Sequence, residues 1–147
     1  FEIAAQHFFG DTGFGVAANY TTVRGDIGFD VTGSPSVSQF ALTGLSDTAN
    51  LVLMYENHGI QARIAYNWRD EYLAETSRGS SRNPRFVESF AQIDANIGYQ
   101  VNDNLSISLE GINLTGENSR SFGRSKAQMW DLFELGARYQ LGARYTF

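Results

Sequence analysis

Leu135 to Phe147 reads LGARYQLGARYTF, and its alternation decides the fold class. Leu135, Ala137, Tyr139, Leu141, Ala143, Tyr145 and Phe147 fall on one side; Gly136, Arg138, Gln140, Gly142, Arg144 and Thr146 fall on the other. Successive strand side chains point to opposite faces, so the segment has an apolar side and a side wet enough for Arg138 and Arg144. The stretch outruns a globular strand of about 5–6 residues and suits a membrane-crossing strand of about 9–11.

The rest of the chain repeats the pattern. Reading backwards, the last strand is Asp131 to Phe147, preceded by Asn104 to Thr115, Glu88 to Gln100 and Ile60 to Tyr72. Asp47 to Asn57, Gly13 to Arg24 and Phe1 to Phe9 complete about seven strands, because apolar residues recur at i+2 rather than at i+3 and i+4. Short turns rich in Gly, Asn and Asp lie at Gly10-Asp11-Thr12-Gly13, Asn57-His58-Gly59 and Val101-Asn102-Asp103-Asn104. Between them come long polar links, Gly25 to Ser46, Leu73 to Val87 and Gly116 to Trp130. Turns of alternating length match an outer-membrane barrel, with short periplasmic turns and long extracellular loops.

Composition agrees. Hydrophobic residues are 42% of the chain, yet no apolar run reaches the ~18 residues of a membrane helix. A mean hydropathy of -0.28 is expected where lumen-facing and lipid-facing residues alternate. Cysteine is absent, so thiolate metal sites and disulfides are excluded. A net charge of -5 argues against a nucleic-acid partner, which calls for a basic stripe. The fold expected is all-β, a transmembrane antiparallel up-and-down β-barrel. The chain opens Phe-Glu-Ile without an initiator Met or basic leader, and about seven strands do not close a bacterial barrel. Residues 1–147 are therefore expected to be the C-terminal part of a larger barrel domain.

Several stretches together resemble the C-terminal third of a TonB-dependent outer-membrane receptor. Leu42-Thr43-Gly44-Leu45-Ser46 followed by Asn50-Leu51-Val52-Leu53-Met54-Tyr55-Glu56 resembles its "L-x-G-x-S … N-x-x-L-x-Y-E" passage. Arg63-Ile64-Ala65-Tyr66-Asn67-Trp68-Arg69 resembles "R-x-x-Y-N-Y-R". Asp94 to Tyr99, Leu109 to Thr115 and the terminal strand resemble the family's closing strands in order. The resemblance implies a 22-stranded barrel with a plug, the plug and earlier strands lying outside this chain. It also implies import of a scarce small-molecule ligand, an oligosaccharide or ferric siderophore, with energy delivered through the TonB complex. Within the family the pattern looks most like the receptors of Caulobacter- and Xanthomonas-type bacteria linked with carbohydrate uptake. Further partners implied are outer-membrane lipid, lipopolysaccharide and the outer-membrane assembly machinery.

The resemblance makes Tyr139, Leu141, Ala143, Tyr145 and Phe147 an assembly signal, consistent with an edge strand offering open backbone and an apolar stripe. Arg78, Arg82 and Arg85 in one loop and Arg120, Arg124 and Lys126 in the last are candidates for contacting an anionic ligand or lipopolysaccharide phosphate. The plainer reading of both sets is a solvated loop, and it is the favoured one. Arg63, Arg69, Arg138 and Arg144, with Glu110 and Asp94, are expected to face the lumen and to pair across strands. Tyr66, Trp68, Tyr72 and Trp130 are expected to be girdle residues.

No catalytic set is expected. His7 and His58 are the only histidines, both toward short turns, and neither H-E-x-x-H nor G-x-S-x-G occurs. Neither a cofactor nor a metal is called for. The alternative function is a small passive outer-membrane barrel or adhesin binding partners through its long loops.

Overall fold

The structure is a computed structural model that describes residues 1–147. It is all-β, with antiparallel pairing throughout and no α-helix. Seven longer strands form one sheet: β1 (Glu2–Phe8), β2 (Phe14–Thr21), β3 (Thr48–Asn57), β4 (Ile60–Arg69), β7 (Phe90–Gln100), β8 (Leu105–Ile112) and β11 (Arg138–Tyr145). Their order is β1-β2-β3-β4-β7-β8-β11, so consecutive members of the seven are neighbours and β1 and β11 are the edges. The sheet is open.

Four shorter strands, β5 (Tyr72–Glu75), β6 (Arg85–Val87), β9 (Ser119–Phe122) and β10 (Met129–Phe133), form a second sheet in the order β10-β9-β6-β5. Leu73–Val87 and Gly116–Trp130, expected as long polar links, thus carry strands of their own. Each is a hairpin extension whose strands were hidden because they mix Arg, Ser and Glu among single aromatics. The structure also corrects the last strand. Asp131 to Phe147 is interrupted, because Gly136 at φ +60° turns the chain out of the extended region and β11 begins at Arg138. The thirteen-residue alternation therefore contains an eight-residue strand. The lengths that suit a membrane belong instead to β3, β4 and β7, at 10, 10 and 11 residues.

The two sheets meet at a crease, where four adjacent strands break at one level. The β4/β7 pairing continues across it unshifted: Arg69 lies opposite Phe90, and three positions further along each strand Tyr72 lies opposite Val87. The β8/β11 pairing does not. From Ile112 to Ser119 is seven positions, and from Arg138 back to Phe133 is five, so two extra residues sit between Ile112 and Ser119. The β7/β8 side agrees, with eight positions from Ala95 to Val87 against ten from Gly111 to Ser121.

Asn113 holds this insertion. It is 3% exposed and sits at φ +54°, a left-handed conformation that Asn tolerates. Its Nδ2 donates to the carbonyls of Glu117 (2.9 Å) and Gly136 (3.1 Å), its Oδ1 accepts from the Glu117 N–H (3.0 Å), and its own N–H donates to Asp94 (2.8 Å). Replacing it with Ala leaves half-buried backbone groups of Glu117 without their partner and puts a less tolerant residue at φ +54°, which together cost about 1–3 kcal/mol. The expected result is a lower urea midpoint for Asn113→Ala, with Asn113→Asp retaining part of the difference.

Only 12 of 147 residues are buried. The ladders rather than a core hold the sheets together: 60 of 81 backbone hydrogen bonds lie within regular secondary structure.

Candidate functional site

The register brings the apolar alternation of all seven long strands onto one face. One row crosses the sheet as Val16, Leu53, Ile64, Ala95, Gly111 and Tyr139; another runs Ala18, Leu51, Tyr66 and Ile93. No Asp, Glu, Lys or Arg of the seven strands falls on this face, and its one ionisable nitrogen base is His7, beside the Phe9 ring. The face is uncovered. Ile64 is 51% exposed and Leu141 80% exposed.

Aromatic residues mark both margins of that face. Tyr20, Trp68 and Tyr139 lie toward the crease, while Phe14, Tyr55, Tyr99 and Tyr145 lie toward the short turns. Phe14 and Tyr20 are six positions apart, as are Tyr139 and Tyr145, which is about 20 Å of strand. Trp68 lies in the crease-side margin and Tyr66 one row inside it. Tyr72 and Trp130 belong to the second sheet; Trp130 Nε1 donates to the Pro84 carbonyl at 3.0 Å, and the Arg69 guanidinium lies over the Tyr72 ring.

Tyr139, Leu141, Ala143 and Tyr145 share the apolar side of β11, whose outer edge has no partner strand. Phe147 lies beyond the strand end, its ring packed edge-on to Tyr145 at 5.2 Å.

The opposite face carries the charges. Arg63, Asn96, Glu110 and Gln140 form a row across four strands, with Arg138 and Arg144 on the same side. The expected cross-strand ion pairs among Arg63, Arg69, Arg138, Arg144, Glu110 and Asp94 are absent, because none of these is in a salt bridge. Asp94 is instead filled by amide donors, Gln92 Nε2 (2.8 Å), Asn67 Nδ2 (3.4 Å) and the Asn113 N–H.

The loop arginines all have partners within the fold, although Arg82 stays exposed to solvent. Arg78 binds Asp131 at 2.5 Å and lies over Trp130, Arg85 pairs with Glu75 at 2.7 Å, and Arg120 with Glu88 at 3.1 Å. Arg82 donates to the Ser36 carbonyl at 2.5 Å. Arg124 donates to the carbonyls of Val31 (2.8 Å) and Gly33 (2.5 Å) and to Asn83 Oδ1 (2.9 Å), with its guanidinium over Phe29. Phe29 meets Phe86 edge-on, and Phe86 stacks on Phe122 at 5.5 Å. The Gly25–Ser46 link is thereby packed against one side of the second sheet.

Asp47 anchors the root of that link. Its carboxylate, 7% exposed as a residue, accepts from both Arg24 terminal nitrogens (2.8 and 2.9 Å), the Val23 N–H, the Thr22 hydroxyl and the Tyr20 hydroxyl (each 3.1 Å). Sequence reading missed it, since a lone Asp before a strand carries no signal; its donors lie 23 to 27 positions away. The Arg24 guanidinium first, then the Val23 N–H, hold this carboxyl well below the usual carboxylate range. Asp131, bound by Arg78 and then the Ser121 hydroxyl, is lowered to about 2.

Both folded values lie below the unfolded one, so the stabilisation is present above the unfolded pKa of about 3.9 and is lost as pH falls through the folded values. The urea midpoint of the second sheet is expected to be flat from neutral pH to about 5 and to fall between about pH 4 and 2. Fluorescence of Trp130 in a Trp68→Phe background reads it. An Asp131→Asn variant should lose part of the pH dependence.

No family model, no curated protein and no solved structure matches this chain.

Proposed function

We propose that this chain is an arc of a transmembrane β-barrel in the bacterial outer membrane, within an active-transport receptor energised through TonB. The observation that carries the membrane reading is the uncovered, charge-free apolar face bounded by two aromatic margins. A compact soluble monomer of this mass exposes about 7,500 Å², and this chain exposes 9843 Å². In lipid that face costs nothing to leave uncovered, whereas in water it is an aggregation surface.

The polar face is then the lumen wall, and β1 and β11 pair with further strands of a larger barrel, since open edges in lipid leave backbone groups unsatisfied. The short turns are periplasmic, and the second sheet with its packed links stands outside the membrane on the extracellular side. The transport reading rests on the motif resemblance quoted above, with an oligosaccharide or ferric siderophore as the cargo class.

Two measurements test the two layers. Deleting Phe147 is expected to lower the heat-modifiable, outer-membrane-inserted fraction of the receptor several-fold, and unchanged insertion would remove the assembly-signal role. Uptake of labelled ferric siderophores and oligosaccharides by cells with and without TonB tests transport. Uptake unaffected by loss of TonB would point to a passive barrel or adhesin instead.

A further inference from the structure

Of the five loop arginines singled out above, three are neutralised by carboxylates: Arg78 by Asp131, Arg85 by Glu75 and Arg120 by Glu88. Arg82 and Arg124 are not, since no carboxylate lies within ion-pair distance of either. Both reach the same turn of the Gly25–Ser46 link. Arg82 holds the Ser36 carbonyl, Arg124 holds those of Val31 and Gly33, and Asn83, next to Arg82, binds Arg124 Nε. The nearby acid, Asp30, accepts from the Thr32 N–H (2.8 Å) and hydroxyl (2.6 Å) through Oδ1, and feels Arg124 through space without forming an ion pair with it.

Arg124 Nη2 is buried and has no hydrogen-bond partner. A buried donor left unmade is costly, and on a cation the cost is greatest. Two guanidiniums outside any ion pair, one with an idle enclosed donor, are thus hydrogen-bonded to neutral amide oxygens alone. A phosphate or carboxylate oxyanion binds such a pair with charge-assisted hydrogen bonds roughly twice as strong. The Nη1 atoms of Arg82 and Arg124 become open to an anion when the turn that carries their carbonyl partners lifts away.

We propose that Arg82 and Arg124 form an oxyanion site closed by the Val31–Ser36 turn, and that a phosphate- or carboxylate-bearing ligand displaces the turn's carbonyls to occupy it. The link is then a strap held shut by the same side chains that recognise the ligand. Anion binding and strap release are coupled, because the anion prefers the open state. The inference stands on loop geometry and does not require the transport reading.

Cysteine is absent from the chain, so Ser38→Cys beside the turn gives this segment a single thiol for a spin label. The intact protein in detergent is titrated with inorganic phosphate, chloride being adjusted to constant ionic strength, and separately with lipopolysaccharide. Trading neutral acceptors for a charged one by about 1.4 kcal/mol is a tenfold change. The released-to-held ratio is accordingly expected to rise about tenfold and to saturate. Release by inorganic phosphate identifies a soluble anion as sufficient, and release by lipopolysaccharide alone identifies the headgroup as the source.

In the Arg82→Gln/Arg124→Gln double variant the label should be mobile from the start and insensitive to either anion. No saturable release by either anion, or the same titration in the double variant, would overturn the site. The TonB-dependence of uptake is read separately, so a failed titration leaves the transport reading where it stood.

Discussion

Phe122→Ala is expected to destabilise the second sheet by about 3–5 kcal/mol, the usual cost of removing a buried phenyl ring. Phe122 is 5% exposed, stacks on Phe86, and carries the Lys126 ammonium over its ring at 5.7 Å. Through Phe86 the stack reaches Phe29, so the cavity opens between the sheet and the Gly25–Ser46 link. The two tryptophans make the loss local and readable, because Trp68 sits in β4 of the larger sheet and Trp130 in β10 of the smaller. Urea titration of Phe122→Ala should bring the Trp130 transition to lower denaturant and leave that of Trp68 in place. Phe40→Ala, at a side chain 75% exposed, is the control and should change little. A shared shift of both transitions would mean that the two sheets unfold as one unit.

The second large effect belongs to the apolar face. Ile64 lies in the middle of β4, flanked by Leu53 and Ala95 on the neighbouring strands. On the proposed reading Ile64→Arg places a guanidinium near the bilayer midplane, at a cost of about 2–4 kcal/mol. Asn96→Arg, one strand away and on the polar face, should be nearly neutral. Urea unfolding of the receptor folded into lipid vesicles measures both. Equal effects for the two would remove the distinction between the faces, and with it the main support for a membrane wall.

The period-two pattern was legible where one face of a strand is uniformly apolar. Ile60 to Trp68 and Ala91 to Tyr99 read correctly from sequence because every second residue is apolar and none between them is a large aliphatic. Hairpin turns were legible too: His58 at φ +53° and Gly59 at φ +73° take the left-handed conformations that Asn57-His58-Gly59 suggested. The second sheet was not legible. Its strands are three to five residues long and owe their pairing to distant partners, Phe86 against Phe122 and Arg78 against Asp131. Burial there comes from tertiary contact, which leaves no alternation to read.

The arginines follow the same logic. Five lie in two loops, and composition alone makes them equivalent. Their difference lies in whether a carboxylate reaches them, which the chain decides over separations such as the 53 positions between Arg78 and Asp131.

The two residues inserted between Ile112 and Ser119 also bear on how such a wall can vary in length. Gly111 and Ser121 keep the same orientation relative to the sheet because the insertion is even, as Ala95 and Val87 do on the uninterrupted neighbour. An odd change would be out of phase. It would turn Ser121 and Phe122 over, sending the phenyl ring outward and a hydroxyl into the aromatic stack. At the crease the insertion comes as a pair, whereas within the second sheet single residues are taken up as bulges, between Leu73 and Glu75 in β5 and between Met129 and Asp131 in β10.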